Sequence, residues 1–216
     1  MDKKYILFDL DGTIVDSGKG IKSSIKYSLK KLGIEENREE ILNDFIGPPL
    51  IDSYIKHYNF SEEEADDIMQ IYREYYKDNG LYENFIYEGI EEVICELKDK
   101  GNEIILATSK PEIFARRVLE QHKLTKYFDF ISGATLDHKI SKKTDVIKYI
   151  LDNYRIEIEK AYMIGDTKYD ILGGKSFGLK TVGVTYGYGS KKELEISRAD
   201  YIVEDTYQIF EILKNI

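Results

Sequence analysis

A single cysteine, Cys95, among 216 residues rules out an intrachain disulfide, so the chain is not a disulfide framework. Long apolar runs are missing too. None approaches the roughly 20 residues of a membrane-spanning helix, and the opening Met1-Asp2-Lys3-Lys4 has no signal-peptide anatomy. A reducing cytoplasm is the expected compartment. Positive charge is in deficit, with 31 Lys+Arg against 40 Asp+Glu and a net charge of −9. That argues against a nucleic-acid polymer as partner, which would leave a basic domain or stripe. The three histidines, His57, His122 and His138, fall into no pairwise metal-ligand spacing, which argues against a zinc or histidine-base site. Repeats and low-complexity tracts are absent. The remaining balance, 42% hydrophobic and 33% charged, is that of an ordinary globular chain long enough for one large domain or two modest ones.

The most informative segment is Y-I-L-F-D-L-D-G-T-I-V-D, residues 5–16. Tyr5 to Phe8 form a short apolar run typical of a strand buried on both faces. Asp9 and Asp11 follow, two apart, so an extended backbone aims both carboxylates the same way at the strand's carboxyl end. Two neighbouring carboxylates repel, and a hard cation such as Mg²⁺ compensates them while keeping water positions for a phosphate-bearing ligand. An acidic turn closing a strand is the plainer reading, since Asp and Gly are common turn residues.

After Asp16 the pattern becomes helical. Helices are expected from Ser17 to Leu32 and around Arg38–Phe45, Leu50–His57 and Ser61–Lys77, the last fixed by the Ser61/Glu64 capping-box spacing. No strand is expected between Asp16 and Asn84. From Tyr87 onward helices and strands alternate, with strands at 103–107, 130–131, 161–164, 181–184 and 201–203. Such alternation predicts an α/β fold with a mostly parallel, Rossmann-like sheet covered on both faces. Residues 1–15 plus 86–216 would form this core, and residues 16–85 an inserted helical bundle. An insertion leaving from that edge lies over the carboxyl ends of the strands, where such sheets bind ligands. It would be a cap. Its tyrosines, among them Tyr72, Tyr75 and Tyr76, are expected to serve packing.

Other strand ends carry matching residues. Thr108, Ser109 and Lys110 follow the 103–107 strand, where a hydroxyl and backbone N–H groups suit phosphate oxygens, although Thr-Ser is also a common helix cap. Asp166 and Asp170 follow the 161–164 strand in G-D-T-K-Y-D, with Gly165 allowing a sharp turn. Ser141-Lys142-Lys143-Thr144-Asp145 opens a helix between them, and one of its lysines could neutralise phosphate charge. In order, D-L-D-G-T, A-T-S-K, the lysine and G-D-x-x-x-D resemble the four motifs of the haloacid dehalogenase superfamily across essentially the whole chain. I-G-P-P-L at 46–50 and G-V-T-Y-G-Y-G at 183–189 look like its phosphoglycolate phosphatase and 5′-nucleotidase-like branch, with a helical cap of the C1 type.

The resemblance implies a Mg²⁺-dependent phosphomonoesterase. Asp9 would be the nucleophile and Asp11 the general acid and base. Asp9, Asp11 (through its carbonyl) and Asp166 would hold Mg²⁺, supported by Asp170 from behind. Thr108 would bind the phosphoryl group with Ser109, Lys110 and backbone near Leu10, and Lys143, or Lys142 as second choice, would offset the charge. Gly47 and Pro48 would turn the cap toward the substrate, and the 13–19 segment would act as hinge. The substrate is expected to be a small phosphorylated metabolite handled by a monomer or homodimer, away from membranes. An aspartate at position 11 favours phosphate esters over halides and phosphonates, because an alkoxide leaving group gains from protonation. A phosphomutase, an inorganic pyrophosphatase, a phospho-accepting receiver and a non-catalytic binding protein remain alternatives.

Overall fold

Strand β1 (Tyr5–Phe8) is buried along its whole length because it runs through the middle of a sheet. The structure, a computed structural model, describes residues 3–215; Met1 and Asp2, expected to lead into that strand, and Ile216 lie outside the described residues. In chain order follow β2 (Val15–Asp16), β3 (Phe85–Ile86), β4 (Glu103–Pro111), β5 (Phe130–Ala134), β6 (Ala161–Gly165), β7 (Lys180–Val184) and β8 (Tyr201–Val203). Six of them form one parallel sheet in the order β5-β4-β1-β6-β7-β8, and β2 pairs antiparallel with β3. The fold is the α/β architecture that the alternation of elements predicts.

Side-chain alternation divides the core. Ile6, Phe8, Ile104, Leu106 and Ile164 join one apolar cluster, whereas Tyr5, Leu7, Ile105, Ala107 and Met163 join another. Helices α5 (Ile90–Asp99), α6 (Glu112–Gln121) and α10 (Thr206–Asn215) cover the first face. Helices α7 (Lys143–Asn153) and α8 (Lys168–Ser176) cover the second, and a short α9 (Lys191–Ile196) precedes β8. A one-residue slip in β1 would exchange its two faces, so apolar burial on both sides fixes the register less than its pairing does. Here Phe8 aligns with Leu106 and with Ile164, and all three strands reach the same edge together.

Between β2 and β3 lie α1 (Gly18–Lys31), α2 (Glu39–Asn43), α3 (Leu50–Tyr58) and α4 (Glu62–Tyr76). Helix α4 starts where its capping box says: Ser61 Oγ accepts from Glu64 N, and Glu64 Oε2 accepts from Ser61 N. Ile25 and Leu29 of α1 pack with Ile68 and Tyr72 of α4, in the same cluster as the first sheet face. A buried hydrogen bond between Ser28 and Tyr54 (2.7 Å) ties α1 to α3. Among the described residues no helix is long and apolar enough to cross a membrane.

Two local expectations change. Strand β4 continues through Pro111, so Thr108 and Ser109 lie in its last turns of extended chain, not at a helix N-terminus. Its neighbour β5 accompanies it that far, with Thr108 opposite Gly133 and Pro111 opposite Ala134 across a register shift. Pro111 is the residue before α6, in extended conformation, instead of its first residue.

Candidate active site

Parallel strands bring their carboxyl ends to one edge, and the centre of that edge is β1 with β4 and β6 beside it. Asp9 continues β1, its N–H donating to Ile164 O, and its side chain is buried. Asp9 Oδ1 accepts from Leu10 N at 2.7 Å and pairs with Lys143 Nζ at 2.8 Å. Among the described residues no hydrogen bond reaches Asp9 Oδ2, so that oxygen is left for an incoming group. The Leu10 N–H, expected to hold a phosphoryl oxygen, is engaged by the carboxylate next to it.

Lys143 is the lysine at the centre. It is the first residue of α7, because Asp145 Oδ2 accepts from the backbone N–H groups of Ser141 and Lys142 and fixes where the helix starts. Its buried ammonium donates to Ala107 O and forms ion pairs with Asp9 Oδ1 and Asp170 Oδ1, each at 2.8 Å. Lys142, one residue back, is exposed. Burial alone would pull the Lys143 pKa down, but the Asp170 and Asp9 carboxylates more than offset it and leave it raised.

Asp166 and Asp170 hang from the end of β6 and the first turn of α8, both fully buried. Asp170 Oδ2 accepts from Thr167 N and Oγ1, which holds the carboxylate against α8. Gly165 has no positive φ; it is needed for space, since a Cβ there would sit 2.1 Å from Asp170 Cγ. Asp166 Oδ2 accepts from Tyr188 N at 2.7 Å, while its Oδ1 is buried with no hydrogen-bond partner among the described residues. Oxygens of Asp9, Asp166 and Asp170 lie within 4.8 Å of one another. Such closeness of like charge away from water is costly. Burial first, then Lys143 pulling the other way and Asp170 pushing up, bring the Asp9 pKa to about 6. Asp166 is pushed well above the carboxylate range by burial and by Asp170 and Asp9.

The residues fit a bound Mg²⁺. Asp166 Oδ1 is an orphaned carboxylate oxygen in the interior, and among the described residues only the ammoniums of Lys143 and Lys110 form ion pairs with the four carboxylates (with Asp11). The carboxylate of Asp11 is not in the three-aspartate cluster; only its backbone carbonyl remains as a ligand in the expected set. Asp170, expected behind the ligands, lies within the cluster, but Lys143 and Thr167 hold its two oxygens.

Thr108 is buried at the end of β4, and its Oγ1 accepts from Lys110 N at 3.2 Å, leaving the hydroxyl proton for an acceptor. Ser109 lines the cavity beside it. Lys110, expected on the phosphate, instead pairs with both oxygens of Asp11 at 2.8 Å and lies 5.1 Å above the Tyr76 ring. The reason is electrostatic: burial would lower its pKa, and Asp11 with Tyr76 keeps it raised. Gly47 and Pro48 do come to the site. Gly47 (φ +109°) faces Thr167, and Gly47 and Pro48 line a cavity of about 90 Å³ with Asp9, Asp11, Thr108 and Lys110.

A family model for haloacid dehalogenase-like hydrolases matches residues 6–184. The chain belongs to that family. Within these hydrolases it is 44% identical to a predicted phosphatase from Clostridium acetobutylicum whose crystal structure superposes with a TM-score of 0.96, each chain being covered completely. It is 37% identical to a 5′-nucleotidase of Pseudomonas aeruginosa, over 97% of this chain and 95% of the relative. A phosphoglycolate phosphatase of Vibrio parahaemolyticus is 27% identical, over 98% and 96% of the two chains. The resemblance drawn from the four motifs, and the branch to which two further segments pointed, therefore hold.

Some site groups escaped the motifs. Tyr72 and Tyr76 stack on each other (5.3 Å, 13°) and pack as expected, yet both also line the cavity, unlike Tyr75, which stacks on Tyr27. Their i, i+4 spacing gave the common face but not what it looks onto. Tyr188 contributes a backbone N–H to Asp166, which no side-chain identity reveals. Arg73 also reaches the cavity, from the same helix face.

Proposed function

We propose that this hydrolase is a Mg²⁺-dependent phosphatase of small phosphate monoesters, working through an aspartyl-phosphate on Asp9. The observation that carries the reading is Asp9 itself. One carboxylate oxygen is fixed by Leu10 N and Lys143, and the other is unpartnered at a cavity lined by Thr108 and Asp11. In the first half-reaction Asp9 Oδ2 forms a bond to phosphorus and the bond to the leaving oxygen breaks, with Asp11 donating the proton that makes the leaving group an alcohol. In the second, Asp11 takes a proton from water, the resulting hydroxyl attacks phosphorus, and the Asp9–phosphorus bond breaks to release phosphate. Lys110 pairs with both oxygens of Asp11 and orients that carboxylate. Thr108 Oγ1 donates to a phosphoryl oxygen, and Lys143 keeps Asp9 oriented and offsets its charge. Asp9, Asp166 and the Asp11 carbonyl would hold Mg²⁺, which when bound supplies positive charge to the phosphoryl oxygens.

Residues 16–85 act in this reading as a cap that closes over residues 1–15 plus 86–216 and excludes water. A reducing cytoplasm suits its half-buried free thiol, Cys95. The names of the relatives, 5′-nucleotidase and phosphoglycolate phosphatase, set the first substrates to try. A phosphate-release screen over nucleoside monophosphates, phosphoglycolate and sugar phosphates, with Mg²⁺ and with chelator, tests the reading. Release is expected with Mg²⁺ alone and should vanish in Asp9→Asn. Release that persists in chelator or in Asp9→Asn defeats it, and a trapped sugar bisphosphate would point to a mutase.

A further inference from the structure

Helix α4 presents Met69, Tyr72, Arg73 and Tyr76 to the cavity, at the i, i+3, i+4, i+7 spacing of one helix face. Three of these are apolar or aromatic, and with Phe45 and Phe114 they make a largely apolar wall above the phosphate-handling floor. Arg73 is the exception. It is half-buried, and among the described residues its Nε, wholly buried, has no hydrogen-bond partner and its terminal nitrogen makes only long contacts, 3.4 Å to Leu136 O and 3.5 Å to His138 Nε2. Asp66, which acts on it electrostatically, pairs with His138 at 3.5 Å, and among the described residues no carboxylate forms an ion pair with Arg73. A guanidinium taken from water without a partner is unfavourable, and its planar fork matches a carboxylate or phosphate. Lys143 and Lys110 differ, for the aspartates already engage them.

We infer that Arg73 is a specificity-determining residue that binds a second oxyanion, carried on the leaving group of the substrate. The inference rests on the phosphatase reading above and deepens it. The floor takes the phosphoryl group to be transferred, the apolar wall flanks a short carbon body, and Arg73 reads the distal end. Substrates of this class are phosphate monoesters bearing a carboxylate or a second phosphate. A neutral alcohol of equal size leaves the guanidinium unsatisfied and binds more weakly.

Phosphonates, whose carbon–phosphorus bond the proposed chemistry does not cleave, separate binding from turnover. Calorimetry in Mg²⁺ compares phosphonoacetate with ethylphosphonate for a distal carboxylate, and propane-1,3-bisphosphonate with propylphosphonate for a distal phosphate. The wild-type protein should bind the charged member of at least one pair about 10- to 100-fold tighter, the range of a charge-assisted hydrogen bond. The pair that shows it identifies the oxyanion. In Arg73→Met that ratio should fall toward one, and Arg73→Lys, which preserves the charge if the first variant folds poorly, should keep part of it. A wild-type ratio near one in both pairs, a ratio unchanged in Arg73→Met, or equal weakening of both members would overturn the inference, the last placing Arg73 on the transferred phosphate. A failed ratio leaves hydrolysis intact. An Arg73-dependent ratio without any turnover would instead take down the Asp9 chemistry alone.

Discussion

Gly12 shows how tightly single residues bound the site. Its φ of +81° belongs to the left-handed region, where a side chain costs about 1–2 kcal/mol. Space is the harder constraint: a Cβ there would lie 2.1 Å from Asp166 Oδ2 and 2.5 Å from its Cγ. Asp166 has little freedom to yield, since Tyr188 N holds that same oxygen. Gly12→Ala should therefore displace the proposed metal ligand more than it unfolds the chain. Supports of metal ligands are worth about 10- to 100-fold in affinity or activity, and a loss of that size is expected here. Activity titrated against Mg²⁺ should show a raised half-saturation, with the helical circular dichroism retained. A wild-type Mg²⁺ dependence would show that the Asp166 carboxylate is not where the chemistry needs it.

The loop after β7 links two elements that chemistry requires to act together. Tyr188 N donates to Asp166, while its hydroxyl donates to Asp16 Oδ1 (2.6 Å) in β2. Tyr186 donates to Thr13 O, and a Cβ on Gly187 would meet both Gly12 O and Asp166 Cβ. One loop thus fastens the metal-side carboxylate and the crossing strands β2 and β3. Tyr188→Phe removes only the hydroxyl, so Mg²⁺ half-saturation should hold while hydrogen exchange at Val15 and Asp16 speeds up. The lost hydrogen bond corresponds to about 1 kcal/mol of local stability. Unchanged exchange there would mean that the loop does not fasten the crossing. Elements of this kind divide what a sequence displays from what it hides. Periodicity displayed α1, α3 and α4, and the capping box displayed the start of α4. Helix α9 stayed hidden because Lys191–Ile196 is six residues long with Leu194 alone buried, too short for a period. Asp9 and Thr108, just past the expected strands, and Lys143, at a helix start, were legible. The Lys110–Asp11 pair was not, because 99 positions separate its partners and only the sheet brings them together. Arg73 was hidden for a related reason: a cation on a helix has no signal until the fold shows which face looks inward.

Across the whole molecule, the site gathers like charge that the proposed cation would offset. Asp9, Asp11, Asp166 and Asp170 set four carboxylates against two ammoniums, and among the described residues Asp166 Oδ1 has no hydrogen-bond partner. The metal-free fold holds this arrangement because the sheet and helices around it fix the strand ends, not because the carboxylates favour it. A cation that binds the folded chain at 100 times its dissociation constant adds about 2.7 kcal/mol. For a chain of this size each kcal/mol moves the melting temperature by about 2–4 °C, so saturating Mg²⁺ should raise it by about 5–10 °C over chelator. Asp166→Asn separates the two contributions. It removes a buried carboxyl whose ionisation burial and the neighbouring aspartates oppose, so the metal-free variant should melt above metal-free wild type. It also removes a ligand, so most of its Mg²⁺-dependent rise should vanish, along with phosphate release. Differential scanning calorimetry of both proteins, with Mg²⁺ and with chelator, reads all four values. If chelator leaves wild type unmoved, or if Asp166→Asn melts lower without metal, the aspartates are balanced within the protein and no cation need be invoked to hold them together.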